Sequence, residues 1–139
     1  MTGPGSSFRT IRENLALGFD EPDPAKQEER IRAAARVAQL DETISGFPGG
    51  YDTQLGERGI NLSGGQKQRA TLARANAPHP AILLLGDAPS AVDTHTETEI
   101  LQGLREVLAG RTSVIVSHRV TAVMNADRIV VLDEGEVAE

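Results

Sequence analysis

Nine consecutive residues hold the densest chemistry in the chain: Asn61-Leu62-Ser63-Gly64-Gly65-Gln66-Lys67-Gln68-Arg69. Two adjacent glycines let a ligand approach the backbone closely. Ser63 and Gln66 have capping-box spacing at the start of a helix that continues through residues 70–75. Such an N-terminus presents unpaired N–H groups and the positive end of a dipole, which suits a phosphate. A bare Ser-Gly-Gly reads better as an ordinary helix start, whereas the full string favours a ligand. Two loops past apolar runs are the ones to inspect: Gly86–Asp93 after Ile82-Leu83-Leu84-Leu85, and His118–Arg119 after Ser113-Val114-Ile115-Val116-Ser117, where a lone histidine reads first as a surface loop residue. Asp93 precedes a helical segment, which makes it a helix cap in its own right. His79 and His95 have no comparable context and read as solvent-exposed. One chemistry is excluded outright. A phosphate-cradling loop of the form G-x-x-x-x-G-K-[ST] needs a lysine after a glycine, and the only lysines are Lys26, preceded by Asp-Pro-Ala, and Lys67 within the nine-residue string.

The elements that must position these groups fall into two halves. Thr10 and Glu13 fit a capping box opening a short helix over residues 12–16, and Asp23-Pro24 starts a clear helix with Asp as cap and Pro at its first position. Its apolar stripe is Ile31, Ala34, Ala35 and Ala38; Leu40 and Ile44 belong to a second short helix. The helix after Ser63 ends early at Asn76-Ala77-Pro78. Beyond it, residues 82–85 read as a buried parallel strand, 94–109 as a helix with Gly110 past its end, 113–117 as a second strand and 121–125 as a short helix. Residues 129–132 read as a third strand, and Asp133-Glu134-Gly135-Glu136 as a turn before Val137. Strand–helix–strand–helix–strand predicts a parallel sheet with right-handed crossovers and ligands past the C-terminal strand ends. Residues 1–7 look tag-like or linker-like, 8–80 form an α-helical subdomain ending in the helix that starts after Ser63, and 81–139 form an α/β part.

Composition narrows the classes further. The chain has 139 residues, 39% hydrophobic and 24% charged, which is ordinary globular material of single-domain size. No apolar run reaches the length of a membrane-spanning helix, and no secretory signal is visible. The absence of cysteine excludes disulfides and thiolate metal sites. A net charge of -6 argues against non-specific nucleic-acid binding.

LSGGQKQR resembles the signature motif of ATP-binding-cassette (ABC) transporter nucleotide-binding domains, and the downstream segments follow that family's order and spacing. Pro80 through Asp93, PAILLLGDAPSAVD, resembles the Walker B strand and D-loop, and Ser117-His118-Arg119 resembles the switch-histidine segment. Residues 10–14 and 46–59 resemble the helical subdomain of exporter-type members, where Leu55-Gly56-Glu57-Arg58-Gly59 is similar to the loop that senses transmembrane coupling helices. The likeness spans residues 7–139. It implies part of a P-loop NTPase-like α/β core, with a parallel sheet, together with an all-α helical subdomain. It also implies that Ser63, Gly64, Gly65 and Gln66 cap in trans the γ-phosphate of ATP held by a second nucleotide-binding domain, with Mg²⁺ in the complete site. His118 would contact that phosphate and the attacking water, and Asp93 would bridge protomers.

Several family features are altered. The Walker A loop, the adenine-stacking aromatic and the Q-loop glutamine have no counterpart in the sequence, which is similar to the C-terminal portion of the domain. Counting back from Asp93, the family's magnesium-linked Asp falls on Gly86 and its catalytic Glu on Asp87. A one-residue slip would make Asp87 the metal-side group and Ala88 the lost catalyst; intact spacing to Ser90–Asp93 favours the first register. Either way one carboxylate is missing, so the expected role is a fragment of an exporter ATPase that is inactive alone and donates its signature in trans. The alternative is a degenerate or split cassette that binds a partner without hydrolysis. A chromosome-maintenance ATPase is disfavoured by the lack of a coiled-coil insertion and by the acidic balance. Expected partners are a second nucleotide-binding domain and coupling helices contacting Glu57, with self-association through uncovered strands. The expected location is the cytoplasmic side of a membrane, through the parent transporter.

Overall fold

The computed structural model describes residues 9–56, 59–86 and 93–138. Five segments make the helical part: α1 (Ile11–Leu15), α2 (Pro24–Val37), α3 (Asp41–Ser45), a 3₁₀ turn (Gly50–Asp52) and α4 (Gly64–Asn76). Local chemistry sets their starts. Thr10 and Glu13 form the reciprocal capping box of α1, and Asp23 caps α2 by accepting the Ala25 N–H at 2.9 Å, with Pro24 at the first helical position. Gln39 closes α2 in the left-handed region. The stripe Ile31, Ala34, Ala35 and Ala38 is fully buried, and its small side chains let α2 lie close against α4 and α5. Gly103 on α5 sits at a close approach, since a Cβ there would stand 3.3 Å from the Val37 carbonyl oxygen.

The α/β part contains β1 (Ile82–Gly86), α5 (Thr94–Leu108), β2 (Thr112–Val116) and α6 (Val120–Val123). β1 and β2 pair in parallel with Ile82 opposite Thr112 and Gly86 opposite Val116, so their C-terminal ends are level. Leu83 and Leu85 face inward, joining Ile100 and Leu104 of α5 and the α2 and α4 side chains in one continuous core. Ile82, Leu84, Val114 and Val116 face outward and are exposed. The expectation of a fully buried strand at residues 82–85 therefore holds for one face only.

The third parallel strand does not form. Of residues 129–132 only Leu132 enters a strand, β3 (Leu132–Asp133), which pairs antiparallel with β4 (Glu136–Val137) in a separate hairpin. The cause is local: Glu134 and Gly135 both adopt positive φ, the I′-type geometry that matches strand twist in a two-residue hairpin. Ile129, Val130 and Val131 stay exposed. Among the described residues no helix is long and apolar enough to cross a membrane.

Candidate functional site

The nine-residue string builds a well-defined helix start. Ser63 Oγ accepts the Gln66 N–H at 3.2 Å, and Gln66 Oε1 accepts the Ser63 N–H at 2.9 Å. This box leaves the N–H groups of Gly64 and Gly65 without a partner among the described residues, at the N-terminus of a 13-residue helix whose first turn holds no acid. A Cβ on Gly64 would meet nothing within 4 Å, so the approach is open. Arg69 anchors the helix from behind: its Nη1 donates to the Gln39 carbonyl at 2.6 Å, tying the signature segment to the end of α2. Sequence reasoning did not assign Arg69 this role, because its acceptor lies thirty residues away. Beside α4 a cleft of about 300 Å³ is lined by Asn14, Leu15, Leu55, Ile60, Lys67 and Arg74.

Asp93 is the N-cap of α5. Oδ1 accepts the Thr96 N–H at 3.0 Å and Oδ2 the Thr96 hydroxyl at 2.7 Å. These bonds, the backbone one foremost, hold the Asp93 carboxyl below the usual carboxylate range. His118 is exposed and lies two residues past the end of β2, at the C-terminal edge of the sheet, as expected for a ligand-facing loop. His79 and His95 are exposed too. Asp87, the Ser90–Val92 segment and Glu57 lie outside the described residues. Among the described residues no hydrogen bond or ion pair connects the Ser63–Gln66 segment with Asp93 or His118, and no cluster of three or more His, Asp or Glu could hold a metal ion.

One further charged group escaped the sequence reading. Glu97, on the first turn of α5, is only 5% exposed. It accepts a hydrogen bond from Arg119 Nη1, and at 3.4 Å one from the Thr121 hydroxyl. The only sequence signal was its place on the apolar side of α5, one turn before Leu101 and three residues before Ile100.

Comparison with known proteins agrees with this arrangement. The ABC transporter family model matches residues 5–91. Multidrug resistance protein 3 of Entamoeba histolytica is 50% identical over 130 residues, covering 94% of this chain and 10% of that protein. The cyclolysin secretion/processing ATP-binding protein CyaB of Bordetella pertussis is 47% identical, covering 94% of this chain and 18% of its own length. A solved structure of a bacterial Atm1-family ABC exporter with ATP bound superimposes with a TM-score of 0.81 at 43% identity, over 94% of this chain and 22% of that one. A signature-type helix start, a level pair of parallel strands and a histidine at their C-terminal edge define part of an ABC ATPase core with its helical subdomain. The chain belongs to the ABC transporter family and carries exporter-type nucleotide-binding-domain sequence. It spans between a tenth and about a fifth of the length of the relatives it matches.

Proposed function

We propose that the chain is part of the ATP-binding unit of an ABC exporter, and that it contributes its signature segment in trans to ATP held by a second nucleotide-binding domain. One observation carries this reading: the α4 N-terminus, where the Gly64 and Gly65 N–H groups have no partner among the described residues, the space beside Gly64 is open, and the first turn holds no acid. That donor set fits phosphate oxygens. Ser63 and Gln66 hold the start rigid by capping each other. His118 would meet the γ-phosphate and attacking water from the strand edge, and Asp87 would polarise that water. Asp93 serves α5 as a cap and has acceptor capacity left for a neighbouring protomer. Residues 8–80 would act as the signature-bearing helical unit and 81–139 as the strand-edge unit. Mg²⁺ would be held elsewhere in the assembled site, because Gly86 brings no carboxylate to the position that the family uses for it. Coupling helices of transmembrane segments would dock near Glu57, on the cytoplasmic face of the membrane.

With one carboxylate lost and no phosphate-cradling loop in the sequence, the isolated chain should neither bind Mg-ATP tightly nor turn it over. Calorimetry with Mg-ATP should therefore show no tight binding, and addition of a Walker A-containing half should be required for ATPase activity. Ser63→Ala should cost about 1 kcal/mol of stability through the lost cap, whereas Ser63→Arg should also abolish the activity gained in the mixture. Tight Mg-ATP binding by the chain alone, or full activity with Ser63→Arg, would overturn the reading. A pull-down of coupling segments that is indifferent to Glu57→Ala would overturn the docking assignment.

A further inference from the structure

We propose that Glu97 is a positioning residue for His118, acting through Arg119 and Thr121; this rests on the phosphate-contacting role of His118 given above. The segment that bears His118 has little packing of its own. α6 is only four residues long, Val120 is 75% exposed and Met124 62%, and only Ala122 is buried. His118 makes no hydrogen bond among the described residues. The buried Glu97 carboxylate ties the segment to α5: it takes Arg119, the next residue after His118, and Thr121, two further on, while the Arg119 N–H donates to Ser117 Oγ at 3.0 Å. A carboxylate is costly to bury unless paired, and Arg119 supplies the pair from a partly exposed position. The pair thereby ties the residue after His118 to α5. Its placement fits that purpose, since Glu97 and Asp93 share the first turn of α5. The start of one helix thus carries the Asp93 cap and holds the histidine segment, while His118 stays exposed.

The test follows amide exchange of Ala122, whose N–H donates to the Arg119 carbonyl at 3.1 Å, together with the His118 ring signals by NMR. In Glu97→Gln, exchange at Ala122 should rise about tenfold or more and the His118 signals should move, while the core amides of Ala35 and Ala73 keep their rates. Arg119→Gln, changed at a side chain 41% exposed, reads the same contact if the first variant fails to fold. The double variant should go no further than either single one, the mark of a direct coupling. Unchanged Ala122 and His118 signals, or equal acceleration at Ala35, Ala73 and Ala122, would make the pair a plain stability contact and overturn the proposal. In the ATPase assembled with a Walker A-containing half, Glu97→Gln should lower kcat about tenfold with KM unchanged. A loss with His118→Ala but none with Glu97→Gln overturns the positioning. No loss with His118→Ala overturns the role of His118, and the positioning with it.

Discussion

At the scale of single residues, Tyr51 shows how much depends on groups far apart in sequence. Its ring is buried beneath Arg32, 4.5 Å from the ring centroid, and beside Arg12, at 5.7 Å; its hydroxyl donates to Asp41 Oδ1 at 2.5 Å. Arg12 and Arg32 in turn share Glu28, and Arg12 also meets Asp52 at 3.0 Å. Burial first, then the hydrogen bond and negative charge of Asp41, push the Tyr51 phenol well above its ordinary range, against the opposing pull of Arg32 and Arg36. The folded state thus holds the phenolic proton more tightly than the unfolded chain does. The resulting stability is complete below about pH 10, the unfolded value, and is lost as pH rises beyond it. Urea unfolding should therefore show a fall in stability above about pH 10. Tyr51→Phe should cost about 1 kcal/mol at neutral pH by leaving Asp41 without its donor, and should flatten the alkaline limb. With one tyrosine and no tryptophan in the chain, phenolate absorbance reports this site alone. A wild-type phenol that titrates at its ordinary value would remove the premise.

At the scale of elements, the sequence was readable wherever the determinants are local. Thr10 with Glu13, Asp23 with Pro24, Ser63 with Gln66, and Asp93 before α5 each start a helix where predicted, because a cap and the N–H donor it accepts from lie within one turn. The early end of α4 at Asn76 likewise follows from Pro78 and Pro80. The third strand was misread because an apolar run does not say which partner it pairs with, and the turn at Glu134-Gly135 supplies a nearer one. Glycines show the same division. Gly59 looks like any loop glycine in sequence, yet a Cβ there would stand 2.0 Å from the Gln54 carbonyl oxygen, inside the turn where the Ile60 N–H meets that same oxygen at 3.0 Å. Gly59→Ala should therefore destabilise the chain by about 1–3 kcal/mol, with faster amide exchange at Ile60 as its local sign. Gly64→Ala, facing open space, should stay within about 0.5 kcal/mol of the original. A Gly59→Ala variant with unchanged thermal unfolding would show that the turn yields freely.

At the scale of the whole molecule, the two strands pose a problem of coverage. Parallel strands are ordinarily packed on both faces, which is why they read as continuous apolar runs. Because residues 82–85 are all apolar, no alternation told which face would be covered. The fold covers Leu83 and Leu85 with α4 and α5 and leaves Leu84 70% exposed, Ile82 and Val116 each 62%, and Val114 49%. Val120, Met124 and residues 129–132 are exposed apolar groups as well, while the outward side chains of the paired strands adjoin one another. Contiguous apolar area of this kind favours association over solvation. In sedimentation equilibrium the apparent mass should climb above 14.8 kDa as concentration rises. Leu84→Lys with Val114→Lys should hold it at the monomer value. Both side chains point away from the core, so circular dichroism should be unchanged by the substitutions. Association that survives the double change would place the contact elsewhere, with the exposed 129–132 segment and the hairpin as the next surface to alter. If the original chain stays monomeric throughout, the outward face of β1 and β2 tolerates water despite its composition, and the self-association expected from uncovered strands fails.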